Sequence, residues 1–370
     1  MRAQPQYPRI PPISSLRFVL AAIVLLGHLE LPFLRTPQHG LRWAVRALSH
    51  CAFNGPAAVI VFFIISGFCI HFPNRNGFAM RSWKAYYSRR YIRILIPMAI
   101  AVLLSVPLRL SFSLFSQSIL WSLLCEEIYY FLYPALLAAQ RRIGWQKLLA
   151  GTAVLSLGVI MTNPGAREYP SYGPALNWLV GLPCWLVGCH LAARFDDFPL
   201  RTVQVRQIWL WRAGAWLLSV IAAALAFHTS VGLPWSLSLF AIYAVLWMER
   251  EIAYYQSRPA PILERAGEAS YSVYLIHLQG FRLATVLGAG AFGAAPAWAL
   301  MVLTAAAYSA LFYLLVEQPS HRLARSIGRR GTLGTSVTVL PIGEARFGEL
   351  LLRRTLLSSK RIAYLARTRN

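Results

Sequence analysis

The sequence predicts an all-α integral membrane protein of about ten transmembrane helices with both termini in the cytoplasm. Three observations predict it: an oily composition, a series of apolar stretches long enough to span a bilayer, and an uneven distribution of arginine between the loops. Of the 370 residues, 57% are apolar and 13% charged, and the mean hydropathy is +0.50. Soluble domains carry about 25% charged residues, so these figures exclude a soluble globular protein, and equally a disordered chain, a collagen and a disulfide scaffold. A net charge of +23 would suggest nucleic acid in a soluble protein. Here it directs attention to the loops, and no nucleic-acid partner is expected. Cys51, Cys69, Cys125, Cys184 and Cys189 form no CxxC pair and read as small hydrophobes; no metal site is expected.

A hydrocarbon core of about 30 Å takes about 20 apolar residues per helix. Stretches of that kind lie near residues 16–34, 56–73, 91–110, 118–139, 147–163, 174–193, 207–228, 233–252, 270–290 and 297–317. The first carries Arg17 and His28 and is followed by no cleavage signal, so it reads as a span and not a signal peptide. With the N-terminus inside, the outer segments hold Arg35, Arg42, Arg46, Arg109, Arg167 and Arg282, and the remaining Lys and Arg fall inside. The chain divides into a cytoplasmic segment at 1–15, a multispanning domain at 16–320 and a basic cytoplasmic tail at 321–370. The tail has too few contiguous apolar residues to span and suits solvent or a membrane surface.

Ionisable groups at membrane depth cost a few kcal/mol or more each, so they are the functional candidates. Arg17 and His28 are eleven residues apart, which places them on one helix face about 16 Å apart along the axis. His28 then falls near the midplane, with Arg17 at the cytoplasmic mouth of the same groove. Read alone, the pair is equally well explained by a snorkelling arginine and a hydrogen-bonded structural histidine. In LWSLLCEEIYYFLYP, Ser122, Glu126 and Tyr130 recur every fourth residue as one polar stripe. Glu126 on that stripe is the better candidate to face His28, whereas Glu127 could equally pair with a basic residue on a neighbouring helix. The plainer reading of both is an interhelical hydrogen-bond network.

Arg89, Arg90 and Arg93 crowd the cytoplasmic entrance of the third stretch. Their plain reading is anchoring against anionic lipid; the sharper one is an anion site, because guanidinium forks match phosphate oxygens. Ser270, Tyr274 and His277 share a face in ASYSVYLIH, where an interfacial aromatic belt accounts for the tyrosines but not for His277. Glu317 in LLVEQP reads as a helix-end residue paired with an arginine. His71, His190, His228 and His321 read as structural or surface residues.

These segments together resemble the acyltransferase 3 family of integral membrane acyltransferases, which modify hydroxyls of sugars and some other compounds, mostly in bacteria. The matching pieces are LRFVLAAIVLLGH with its R-x10-H spacing, VFFIISGF at 61–68, RRYIRILIP at 89–97, LWSLLCEEIYYFLYP at 120–134, SYSVYLIH at 270–277 and VEQP at 316–319. They occur in the family's order over roughly residues 13–320. Ile60 stands where the family often has an acidic residue, and stretches five to eight match only as hydrophobic segments, so acceptor specificity does not carry over. The chain shows no appended periplasmic hydrolase-like domain, so transfer is expected from the membrane domain, alone or with a separate partner.

The resemblance implies an acyl-CoA donor, most often acetyl-CoA, a glycan or other hydroxyl acceptor, and the lipid bilayer of the bacterial plasma (inner) membrane as setting. Arg17, Arg89, Arg90 and Arg93 are where the phosphates of CoA would be held. His28 is expected as general base on the acceptor hydroxyl, with Glu126 orienting it or fixing its tautomer; a covalent relay through His28 is the less favoured variant. Ser66, Tyr274 and His277 are expected to line the donor channel or stabilise the oxyanion. The acceptor could enter from the outer face, or be cytosolic, such as a macrolide or lipid-linked sugar. The main rival is a transporter or exporter with a proton or substrate pathway through Arg17, His28 and Glu126. It predicts inverted repeats, which the sequence does not show. A scaffold subunit without chemistry would have no use for His28 and Glu126 together.

Overall fold

A computed structural model describes residues 13–29, 48, 51–75, 83–110, 119–197 and 203–333. Every regular element among the described residues is a helix. In chain order the main ones are α1 (Ser14–Gly27), α2 (Gly55–His71), α3 (Trp83–Ser105), α4 (Leu120–Thr162), α5 (Gly173–Ala193) and α6 (Val205–His228). They are followed by α7 (Leu233–Ser257), α8 (Pro261–Glu268), α9 (Ser270–Val286), α10 (Ala294–Phe312) and α11 (Gln318–Leu333).

Five helical stretches are long and apolar enough to cross a membrane: Gly55–Asn74, Leu120–Thr162, Tyr169–Ala193, Val205–His228 and Ala294–Ile327. The outward faces carry apolar side chains that water would not tolerate in such density, among them Leu210, Leu239 and Leu303, each more than 60% exposed. This is the surface of a membrane protein. Each of the ten apolar stretches coincides with a helix or part of one. α4 covers two of them, because Gly144, with φ 81° and ψ 163°, breaks its 43 residues into two limbs.

α2 sits at the centre and is apolar all round, as a helix buried among others should be. Its start is set by Asn54, whose side chain accepts from the Ala57 amide at 3.0 Å, and by Pro56 in the first turn. α5 lies directly against it. A Cβ on Gly67 would come within 1.9 Å of the Trp185 carbonyl oxygen, and one on Gly188 within 2.0 Å of that of Ile64. The two glycines are the contact that lets these backbones touch. α6 and α7 are pinned by Arg212 and Glu251, 2.7 Å apart, with the Trp247 indole donating to the same carboxylate at 2.8 Å.

α1 is shorter than the expected 16–34 span. Its apolar run stops at Leu26; Gly27 follows, then Glu30 and Pro32, and the helix ends with His28 as its C-cap. Residues 30–47 lie outside the described residues. At its other end, Glu264 of α8 accepts from the Ser15 amide at 2.8 Å and the Ser15 hydroxyl at 2.5 Å, satisfying a free helix-end N–H. α10 passes through a π-helical turn, Tyr313–Glu317, into α11. The compact unit that holds these helices runs to Arg329, and α11 is an amphipathic helix. Residues 334–370 lie outside the described residues.

Candidate active site

A cavity of about 740 Å³ opens between α1, α2, α3, α4 and α9. Arg17, Ser66, Arg90, Arg93, Glu126 and Tyr274 line it together. Arg89, His28 and His277 do not, and Arg89 is exposed on α3 with contacts of its own. The cavity itself has a cation end and a hydroxyl-walled passage, and the two histidines stand outside its lining.

Cations define the first end. Arg17, Arg90 and Arg93 all lie within Coulombic range of Cys69. The Arg93 Nε donates to Nε2 of His321 at 2.9 Å. That nitrogen spends its lone pair on Arg93, so its approach to Glu317 Oε1 at 3.6 Å is no ion pair. Glu317, 1% exposed, accepts instead from the Ser272 amide at 3.1 Å and from the Ser272 hydroxyl, and balances Arg93 electrostatically. The other carboxylates lining the cavity also have donors: Glu126 has Tyr130, Glu264 has Ser15, and Glu268 has the Tyr313 hydroxyl at 2.9 Å. Arg17 and Arg90 are in no ion pair among the described residues; Arg90 lies over the Tyr130 ring, 5.3 Å from its centroid. Two guanidiniums therefore face the cavity without a carboxylate in direct contact among the described residues, Glu317 and Glu127 acting on them only at longer range, which is an arrangement that suits an anionic ligand.

The passage is walled by hydroxyls. Trp185 Nε1 donates to Ser66 Oγ at 3.2 Å, Ser66 Oγ lies 2.9 Å from the Tyr130 oxygen, and the Tyr130 hydroxyl donates to Glu126. Since Tyr130 gives its hydrogen to Glu126, Ser66 must donate to Tyr130, and the chain runs one way across three helices. Farther along, Tyr274 and Ser122 are 2.6 Å apart and share the Ile119 carbonyl at 3.2 and 3.1 Å. Neither Ser66 nor Tyr274 has a hydroxyl hydrogen left over for an oxyanion.

About one turn of α9 beyond Tyr274, outside the cavity lining, stands a pair of histidines. The His277 Nδ1 lies 3.0 Å from the Val273 carbonyl oxygen and 2.9 Å from that of Tyr274. Carbonyls only accept, so Nδ1 carries the hydrogen and Nε2 the lone pair. That Nε2 lies 3.3 Å from Nδ1 of His28, which is also 2.8 Å from the Val24 carbonyl oxygen and is therefore a donor. The His28 Nε2 is left with the free lone pair, on an exposed side chain. This corrects the expected partnership: the His28 tautomer is set by Val24 and His277, while Glu126 is engaged with Tyr130. The Glu127 side chain has both oxygens buried without a hydrogen-bond partner among the described residues, and Arg90 of the neighbouring α3 acts on it only at longer range. Glu317 and His321, read from the sequence as bland, line the cation end; the signal for Glu317 was a carboxylate closing an apolar span.

The fold is that of an integral membrane protein, and its family match makes it an acyltransferase. The chain belongs to the acyltransferase 3 family, whose acyltransferase domain model matches residues 12–316. Among its relatives is the acyltransferase MdmB of Streptomyces mycarofaciens, 24% identical over 384 residues, covering 90% of this chain and 96% of that protein. Nodulation protein 10 of Rhizobium leguminosarum bv. viciae is 25% identical over 222 residues, 58% of this chain and 57% of that protein. No solved structure matches the chain.

Proposed function

We propose that the protein transfers an acyl group, acetyl in the first instance, from acyl-CoA to a hydroxyl of a carbohydrate or glycan. The observation that carries this reading is the pair of unpaired guanidiniums, Arg17 and Arg90, beside Arg93 at one end of the cavity. They are matched to the phosphates of a CoA donor. The pantetheine arm then follows the passage between Phe62, Ser66 and Glu126 toward Tyr274. Arg89 plays no direct part in this site. At the far end His28 Nε2 takes the proton from the acceptor hydroxyl as its oxygen attacks the thioester carbonyl. The new C–O bond forms, the C–S bond breaks, and the imidazolium returns its proton to the departing thiolate. Glu126 acts by fixing the Tyr130 and Ser66 hydroxyls along the donor path.

The remaining features of this reading are ten membrane spans, both termini in the cytoplasm and residence in a bacterial inner membrane, supported by the ten helical stretches and by the arginine distribution. The donor end, with Arg17, Arg90 and Arg93, then faces the cytosol. His28 lies about 16 Å deeper, where a glycan entering from the opposite face is within reach of the acyl group. The test is transfer of labelled acetyl from acetyl-CoA by purified protein in liposomes, wild type against His28→Ala. Loss of about 10²-fold or more in kcat with little change in KM is expected for removal of the base. Equal turnover by both proteins refutes the assignment.

A further inference from the structure

The contact between the two histidines goes one step beyond that reading, on which it rests. His28 and His277 come from α1 and α9, their ring centroids 5.0 Å apart. His277 is fully buried, tied through Nδ1 to two backbone carbonyls and packed edge-on against Phe281, with ring centroids 5.7 Å apart. It is the fixed member of the pair. Val24, by contrast, belongs to the same helix as His28, so its carbonyl selects the Nδ1–H tautomer without tying the ring to the rest of the site. Only the bond to His277 Nε2 connects the His28 ring to the helix that carries Tyr274.

We infer that His277 is the positioning residue of the base. Its Nε2 lone pair holds the Nδ1–H of His28, aims Nε2 of His28 at the acceptor hydroxyl and stabilises the imidazolium once that proton has been taken. In other hydrolases and transferases this third position is commonly a carboxylate behind the histidine. Here a neutral imidazole occupies it. The buried surroundings favour such a choice, because a carboxylate would bring a second charge that needs its own partners. No proton passes between the two rings: the hydrogen on Nδ1 of His28 stays where it is while Nε2 takes up and returns the acceptor's proton.

Two variants separate this role from packing. The amide oxygen of His277→Gln reaches the place of Nε2 and can accept from His28, whereas His277→Asn reproduces only the Nδ1 contacts to the carbonyls. With [14C]acetyl-CoA in proteoliposomes and water standing in for the acceptor, His277→Asn is expected to lower kcat about tenfold or more with KM nearly unchanged, from loss of a hydrogen bond to a charged group. His277→Gln is expected to recover most of that loss. Wild-type kcat for the Asn variant, or equal impairment of both variants with KM rising, overturns the inference. Independently of turnover, 15N-histidine-labelled protein in nanodiscs should show a correlation between Nδ1 of His28 and Nε2 of His277; its absence overturns the pairing. Full activity of His28→Ala, measured alongside, overturns the base assignment itself and is read separately from the Gln and Asn contrast.

Discussion

Arg90→Gln tests the donor end directly. It removes one of the two cavity guanidiniums that have no carboxylate partner, so no internal ion pair is broken with it. A charge-assisted bond to phosphate contributes about 1.5–3 kcal/mol, which corresponds to a roughly 10- to 150-fold weaker donor. The variant also gives up the contact with the Tyr130 ring, 5.3 Å from the guanidinium carbon. That contact contributes about 0.5–1 kcal/mol to the protein itself, and so affects any donor equally. Arg93 is a poorer choice, because its Nε holds His321 and its charge is balanced by Glu317. The assay compares initial rates with two donors, acetyl-CoA and S-acetyl-pantetheine, which lacks the nucleotide phosphates. For Arg90→Gln the KM of acetyl-CoA should rise at least about tenfold, while that of S-acetyl-pantetheine changes by less than about twofold. A parallel loss for the two donors, or an unchanged KM for acetyl-CoA, refutes the reasoning.

The remaining predictions concern the frame around the site. Gly67→Ala forces a Cβ against the Trp185 carbonyl oxygen, 1.9 Å away, and should lower the Tm in detergent by the equivalent of about 1–3 kcal/mol or prevent folding; an unchanged Tm would mean that α2 and α5 are not in contact there. Arg212→Met leaves Glu251, 1% exposed, as an uncompensated charge and should cost about 3–5 kcal/mol, measured by reversible unfolding in mixed micelles. Adding Glu251→Gln should recover much of it, and failure to recover would point to lost packing of Arg212 on Trp209 and Tyr254. Glu126→Gln keeps an acceptor for Tyr130 and should unfold like wild type, whereas Glu126→Leu should be less stable by about 1 kcal/mol. Equal Tm values for the two variants would remove Glu126 from the hydroxyl chain.

What could be read from the sequence was what depends on local order. The apolar stretches needed only length and composition; each contains a helix over much of its described length, and five helical stretches are long and apolar enough to cross a membrane. The gathering of Arg17, Arg90 and Arg93 was legible because arginine at the end of a span has few other places to go. The pairing of His28 with His277 was not, since the residues are 249 positions apart and neither helix's periodicity states which neighbour it meets. The end of α1 at Gly27 was hidden by Leu29, Leu31, Phe33 and Leu34, which extend the apolar composition of the sequence past it. Glu317 was read as a helix-end residue paired with an arginine, and it stands in electrostatic range of Arg93; that it also lines the cavity was not legible from its place at the end of a span.

The separation between the two ends of the site is built into rods. Arg17 and His28 are both on or at the end of α1, and eleven residues of helix rise set them about 16 Å apart. α1 is held at one end by Glu264 on Ser15 and by Gly267, where a Cβ would meet the Ser14 carbonyl oxygen at 1.9 Å. At the other end Gly27 approaches the Phe53 carbonyl oxygen just as a small residue must, with a Cβ 2.5 Å away. α8 is joined to α9 through Ala269 alone, so the segment that caps the start of α1 leads straight into the helix that brings Tyr274 and His277 toward its finish. Arg17 and His28, the proposed anion-site residue and base, are thus held by two helices that run side by side, with no intervening loop to relax. A fixed gap of that size suits a donor whose phosphates and reactive carbonyl are separated by a long arm, as in an acyl-CoA. An acyl phosphate, whose charge is bonded to the acyl group itself, could occupy only one end at a time.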